Sequence, residues 1–184
     1  MGYVSWSVVF GEQPSATKWN ILGQNDASFN DGTGIAGLYK NLLTVDSNPY
    51  KFSAYRNGAW TDGSSAFALI THDTKVYDTN TNFTTANGRY TAPVSGFYAL
   101  SANSNSSVTA NSVHLLGFYK NGVLVSQGGG GVQGGATSNV FDSHSYQIQL
   151  TAGDYVQTYH YGTGGAGSAG AVSTSFQGFL ISRT

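Results

Sequence analysis

The sequence predicts an all-β head over residues 49–184, preceded by a short, partly helical segment. Three observations carry that expectation. Glycine is frequent and charge is scarce: the 184 residues include 25 Gly, while Asp, Glu, Lys and Arg together make up 9%. After Pro49, apolar side chains alternate with polar ones at a period of two, the spacing of a strand with one buried face. The chain is also punctuated by turn signals. Asn121-Gly122 is the strongest of these, because both central residues of a tight hairpin turn must accept positive φ.

The first 48 residues read differently. Ser15 can cap a helix over residues 15–22 that places Ala16, Trp19 and Leu22 on one face, and Gly23 and Asn25 end it. A second short helix is expected over residues 35–43. Trp6, Phe10, Trp19, Leu22, Phe29, Leu38 and Leu42 are too many large apolar side chains for a free tail and too few for an independent core. Segment 1–48 is therefore expected to bury them against its own copies or another protein, with Trp19, Leu22 and Phe29 docking. The plain alternative is a linker.

Strands follow from Pro49 onward. Tyr146, Ile148 and Leu150 share one face of a strand and Gln147 and Gln149 the other. Over residues 155–161 the odd positions Tyr155, Gln157, Tyr159 and Tyr161 fall together. Residues 113–119 are more continuously apolar, as in a strand buried on both sides. Three connections are tight: Pro93-Val94-Ser95-Gly96, Asn121-Gly122 and Ala152-Gly153-Asp154. Three others, 103–112, 127–139 and 162–174, are long and nearly free of apolar side chains.

The order of these pieces carries a family resemblance. Phe52-Ser53-Ala54-Tyr55, Ile70-Thr71-His72-Asp73-Thr74, Tyr77-Asp78, Asn82-Phe83 and Gly88-Arg89-Tyr90-Thr91-Ala92-Pro93 come first. Ser95-Gly96-Phe97-Tyr98, Lys120-Asn121-Gly122, Leu150-Thr151-Ala152-Gly153-Asp154 and Ser175-Phe176-Gln177-Gly178-Phe179-Leu180 follow. Together, over about residues 50–184, they resemble the globular head of the complement subcomponent q family, a jelly roll shared with the tumour necrosis factor family. The resemblance implies an antiparallel jelly-roll sandwich and a homotrimer. By analogy with the sheet that faces the axis in that family, Tyr55, Tyr98, Tyr159 and Phe179 are the interface candidates. Jelly-roll order also implies that the tight turns share the end holding both termini and the long loops share the other. Separately, Gly11-Glu12-Gln13-Pro14 through Trp19-Asn20, with Asn25-Asp26 through Gly32-Thr33-Gly34, resembles the start of many tailed-phage fibre and minor tail proteins.

Composition narrows function. With 8 basic against 9 acidic residues, no field gathers nucleic acid or anionic lipid. No Cys is present, which removes disulfides and thiolate metal sites. No apolar run approaches the roughly 20 residues needed to span a bilayer. Met1-Gly2-Tyr3 lacks the basic start of a signal peptide, and no Gly-X-Y stalk precedes the head, so a secreted lectin-like protein is disfavoured.

Enzymatic chemistry is not expected. Glu12 and the eight Asp offer no evident carboxylate pair. Asp31, Asp62, Asp73, Asp78 and Asp154 sit in turn or capping contexts, and no G-x-S-x-G elbow occurs. No metal site or cofactor is expected either, because His72, His114, His144 and His160 lie on separate strands without H-x-H or H-x-x-x-H spacing. The family's axial calcium is not carried over, since the long loops hold almost no carboxylate beyond Asp142, just past one of them. His72 stands where the family usually has an aromatic residue and reads as a hydrogen-bonded core histidine.

The resulting expectation is a virion protein of a tailed phage that adheres to a host surface glycan or protein, docked on tail or head proteins through its N-terminal segment. Ser106, Asn111, Gln133, Asn139 and Ser168 in the long loops are the ligand-contact candidates. The competing reading is a structural decoration, collar or tail component with the same fold and no receptor.

Overall fold

Alternating side chains on the fifteen short and long strands of the described residues have one economical outcome, two sheets closed face to face over their apolar sides. The structure, a computed structural model, describes residues 48–61, 63–108, 112–129, 132–133, 138–162, 165–167 and 173–184. The expected helices at 15–22 and 35–43, the docking residues Trp19, Leu22 and Phe29, and the loop candidates Asn111 and Ser168 lie outside the described residues.

The first sheet runs in the order β5 (Thr74–Asp78), β1 (Lys51–Tyr55), β15 (Ser175–Arg183), β8 (Gly96–Val108) and β12 (Ser138–Leu150). Beyond the start of β15, β8 is continued by β14 (Gly165–Gly167), which carries β2 (Trp60–Thr61). The second sheet runs β6 (Phe83–Thr84), β7 (Arg89–Thr91), β13 (Tyr155–Gly162), β9 (Ser112–Lys120) and β10 (Val123–Gly128). β11 (Val132–Gln133) pairs with β9, and β3 (Gly63–Ser64) lies parallel on β13; all other described pairings are antiparallel. β4 (Ala66–Leu69) leads into Ile70, whose N–H donates to Thr158 O at 3.0 Å. Among the described residues no helix is long and apolar enough to cross a membrane.

The core is aromatic at one end. Phe52 stacks on Tyr90 with centroids 4.3 Å apart and on Phe83 at 5.2 Å, and meets the edge of Phe176 at 4.8 Å. Leu116, Phe118, Leu150 and Val156 close around them, fully buried. Each such side chain contributes about 1.5–3 kcal/mol through burial. Two motif glycines have clear reasons. Gly88 has φ +60°, and a Cβ there would lie 2.8 Å from Ile70 O; at Gly178 a Cβ would lie 2.8 Å from Ala99 O, so β15 could not sit as close to β8.

The three tight turns meet at one end, as jelly-roll order requires. Asn121 Nδ2 donates to Asp154 Oδ1 at 2.7 Å, and Tyr155 N donates to Asn121 Oδ1 at 2.9 Å. Ala152 N donates to Ser95 Oγ at 3.1 Å, and Gly153 N to Ala92 O at 2.8 Å. The Lys120 ammonium, 2.8 Å from Asp154 Oδ2, and the Asn121 and Thr151 donors hold the Asp154 carboxyl down to about 2. Stability from this latch is full above the ordinary carboxylate range and is lost as pH falls through about 2. The C-terminus lies at the same end, where Thr184 N donates to Ser95 O at 3.3 Å.

One expectation about the strands needs correction. Residues 103–108 were expected to open a long loop, but β8 runs unbroken to Val108 and pairs with β12 along its whole length, Gly96 opposite Leu150 and Val108 opposite Ser138. The ladder continues because Ser104, Asn105 and Ser106 are buried polar residues rather than solvent-seeking ones. Likewise, part of each other long segment is strand, at β11 and at β14.

Candidate functional site

Two places on this scaffold stand out as candidate functional sites. The first is the outward face of the first sheet. Along β15 the even positions Phe176, Gly178 and Leu180 are buried, while Gln177, Phe179 and Ile181 point out. Register sets Phe179 opposite Ala99 and Gln177 opposite Ser101. Next to them Ser145 and Gln147 of β12 and Tyr77 of β5 complete a groove of about 470 Å³. Phe179 is 50% exposed, Tyr77 45% and Phe97 44%. Large aromatic rings gathered on one sheet face, ringed by Gln and Ser, are the composition of a candidate protein–protein interface.

The four expected interface residues separate here. Tyr55, opposite Ser175 on β1, shares the outward face with Phe179. Tyr98 does not: it is wholly enclosed by its own chain, its hydroxyl donating to Val94 O at 2.7 Å. It is a core residue, because the alternation of β8 turns it inward. Tyr159 is on β13, in the other sheet, with its ring 4.0 Å from that of Tyr119. It therefore belongs to the opposite side of the sandwich. Tyr77 was missed by sequence reasoning, and its neighbour Asp78 explains why it stands firm. Asp78 accepts from the N–H groups of Asn82 and Phe83 at 3.0 Å each and from Lys75 Nζ at 2.8 Å, fixing the turn after β5.

The second place is a polar centre inside the sandwich, at the end away from the tight turns. β9 and β13 are neighbours, and their register sets His114 opposite Gly162 and His160 opposite Leu116. Both histidines thus face inward, their rings 5.2 Å apart. Asp142 reaches them from β12 in the facing sheet, with Oδ2 at 3.0 Å from His160 Nε2. Ser106 Oγ lies 3.4 Å from the same nitrogen, and Trp60 meets the His160 ring edge-on at 5.1 Å. All of these side chains are buried. His114, His144 and His160 lie on separate strands, as expected, and His72 between β4 and β5; adjacent strands with matching register nonetheless bring His114 and His160 together. Counting back from Lys120 opposite Val156, a pair fixed by the turns at Asn121 and Asp154, would have found them.

Ser106, His160 and Asp142 are not a hydrolytic relay. In such a relay the serine and the carboxylate bond to opposite ring nitrogens; here both converge on Nε2. Ser106 is also corrected as a tip contact, since it is fully buried at the centre of the sandwich. Of the other expected contacts, Asn139 is exposed on β12 and Gln133 lies on β11.

Asp73, His72 and His144 have structural partners. Asp73 accepts from Asn57 N at 2.8 Å and pairs with Arg56 at 3.1 Å. Burial pushes the His72 imidazole down to about 3, outweighing the opposing charge of nearby Asp73, and its Nδ1 lies 3.5 Å from Thr158 Oγ1. His144 is lowered by burial as well and pairs with Ser126 Oγ at 2.7 Å.

Comparison with known proteins agrees with the topology. The family model described as the C1q domain matches residues 51–181. Among solved structures, the globular domain of the zebrafish complement 1qA protein is similar at 21% identity and a TM-score of 0.56, covering 73% of this chain and 99% of its own. The tumour necrosis factor Eiger from S. frugiperda has 10% identity and a TM-score of 0.53, with 73% and 95% covered. Murine APRIL has 9% identity and a TM-score of 0.53, with 72% and 98% covered. No curated protein matches the sequence.

Proposed function

As the chain belongs to the C1q domain family, we propose that it is a homotrimeric, non-enzymatic adhesin of a tailed-phage virion, binding a host-surface glycan or protein. The observation that carries the trimer is the outward face of the first sheet, where Phe179, Tyr77 and Phe97 are each nearly half exposed. Three copies closing on a threefold axis would cover those rings. The virion context rests on the N-terminal sequence motif at residues 11–34, and host binding on the neutral, Gly- and Ser-rich sequence of the segments 127–139 and 162–174. Such segments offer backbone amides and hydroxyls suited to hydrogen-bonding a sugar.

Labelled full-length protein is expected to bind cells of the infected host and to compete with virion adsorption. Asn139→Arg together with Gln133→Arg should weaken that binding at least about tenfold, while leaving the mass and melting temperature of the protein unchanged. Protein that joins virions yet shows no affinity for host cells would replace the adhesin by a structural decoration, collar or tail component.

A further inference from the structure

We propose that His114, Asp142 and His160 bind one divalent transition cation of the zinc class, held between the two sheets at the end opposite the tight turns. One ligand-type atom of each residue lies within 4.8 Å of the other two, and all three side chains are buried. Two imidazoles and one carboxylate are a ligand set suited to zinc and its neighbours, leaving a fourth position open. At a metal–ligand distance of about 2.0–2.1 Å, tetrahedral geometry places ligand atoms roughly 3.3 Å apart. The 3.0 Å separation of His160 Nε2 and Asp142 Oδ2 is already close to one such edge.

Convergence is the second argument. Asp142 Oδ2 and Ser106 Oγ both approach one nitrogen of His160. A hydrogen-bond chain would use the two ring nitrogens in series, whereas groups arranged about a central ion crowd one point. The surroundings agree. Ser104, opposite Asp142 in the β8–β12 ladder, has a buried Oγ without a hydrogen-bond partner among the described residues. Trp60 Nε1, on the ring that abuts His160, is buried and likewise unpartnered. Buried polar atoms ordinarily find partners; a metal-bound water in the open position would supply one. The carboxylate supplies a third argument. Buried charge requires a compensating charge, and among the described residues Asp142 has no Lys or Arg contact, only His160. A cation there would neutralise it and tie β9 and β13 of one sheet to β12 of the other.

The test uses the full chain, freed of metal by dialysis against a chelator and then given zinc or cobalt(II). One zinc per chain should be retained after desalting, the melting temperature should rise with zinc concentration, and cobalt should show the intense visible d–d absorption of a four-coordinate ion. His114→Gln should abolish that absorption and weaken zinc binding by more than the roughly 10–100-fold that loss of a merely supporting outer partner costs. His144→Gln, on a histidine occupied with Ser126, should leave both intact. A folded wild-type chain that retains no zinc and gives no cobalt band overturns the proposal, as does a cobalt band that survives His114→Gln and Asp142→Asn together. The wild-type measurement stands whether or not those variants fold.

Discussion

Lowering the pH from about 7 to 4 should strip the head of much of its stability, and His72→Phe should return most of it. His72 is fully buried and its imidazole is pushed down to about 3 by desolvation. In the unfolded chain it takes a proton near its ordinary value of about 6.5. Between those values the unfolded state binds the proton and the folded state does not, so stability falls steadily as pH falls through 6.5 toward 3 and levels off below. At about 1.4 kcal/mol for each pH unit crossed, one histidine accounts for a loss on the order of 3 kcal/mol by pH 4. The site is otherwise that of an aromatic core residue, with the imidazole 5.8 Å from the Phe176 ring. Phenylalanine should therefore fit at a packing cost of about 1–2 kcal/mol. Urea midpoints at pH 7 and pH 4 for both proteins decide the matter. Parallel losses in the two would show that His72 is not the acid-sensitive group, leaving other groups to explain the loss.

Phe179→Lys combined with Tyr77→Lys should convert the proposed trimer to monomers while leaving the head folded. Both rings stand on the outward face of the first sheet and are about half exposed in a single chain. Their replacement therefore takes little from the monomer. In the assembly each lost ring removes about 1.5–3 kcal/mol of burial, and each new ammonium must be desolvated or left facing its symmetry mates. With three copies of each substitution, the summed loss is on the order of 10 kcal/mol, well over a thousandfold in association. Sedimentation at micromolar concentration, with circular dichroism as the folding control, reads the outcome. A double variant that stays trimeric would move the interface to another face, the Tyr119–Tyr159 side of the second sheet being the alternative.

How much of this the sequence disclosed depends on what held each element in place. The strand at 145–150 was legible because Tyr146, Ile148 and Leu150 face an apolar core and the two glutamines face out. Asn121-Gly122 was legible because its backbone demand is local: φ is +51° at Asn121 and +83° at Gly122. Residues 103–108 were not, since the core at that end is polar. Ser104 and Ser106 face inward toward histidines and an aspartate, and hydropathy cannot distinguish such a strand from a loop. Tyr98 was misplaced because an inward tyrosine whose hydroxyl finds a backbone carbonyl looks, in sequence, like an outward one. The His114–His160 pair depended on register between strands some 40 residues apart, a long-range property that no local spacing encodes.

The mass of the full chain in solution tests the central claim most directly. Light scattering behind size exclusion, at a few micromolar, should give about three times the 19.3 kDa chain mass, unchanged on tenfold dilution. A mass of one chain under those conditions would contradict the trimer and, with it, the reading of the Phe179 face as an interface between copies.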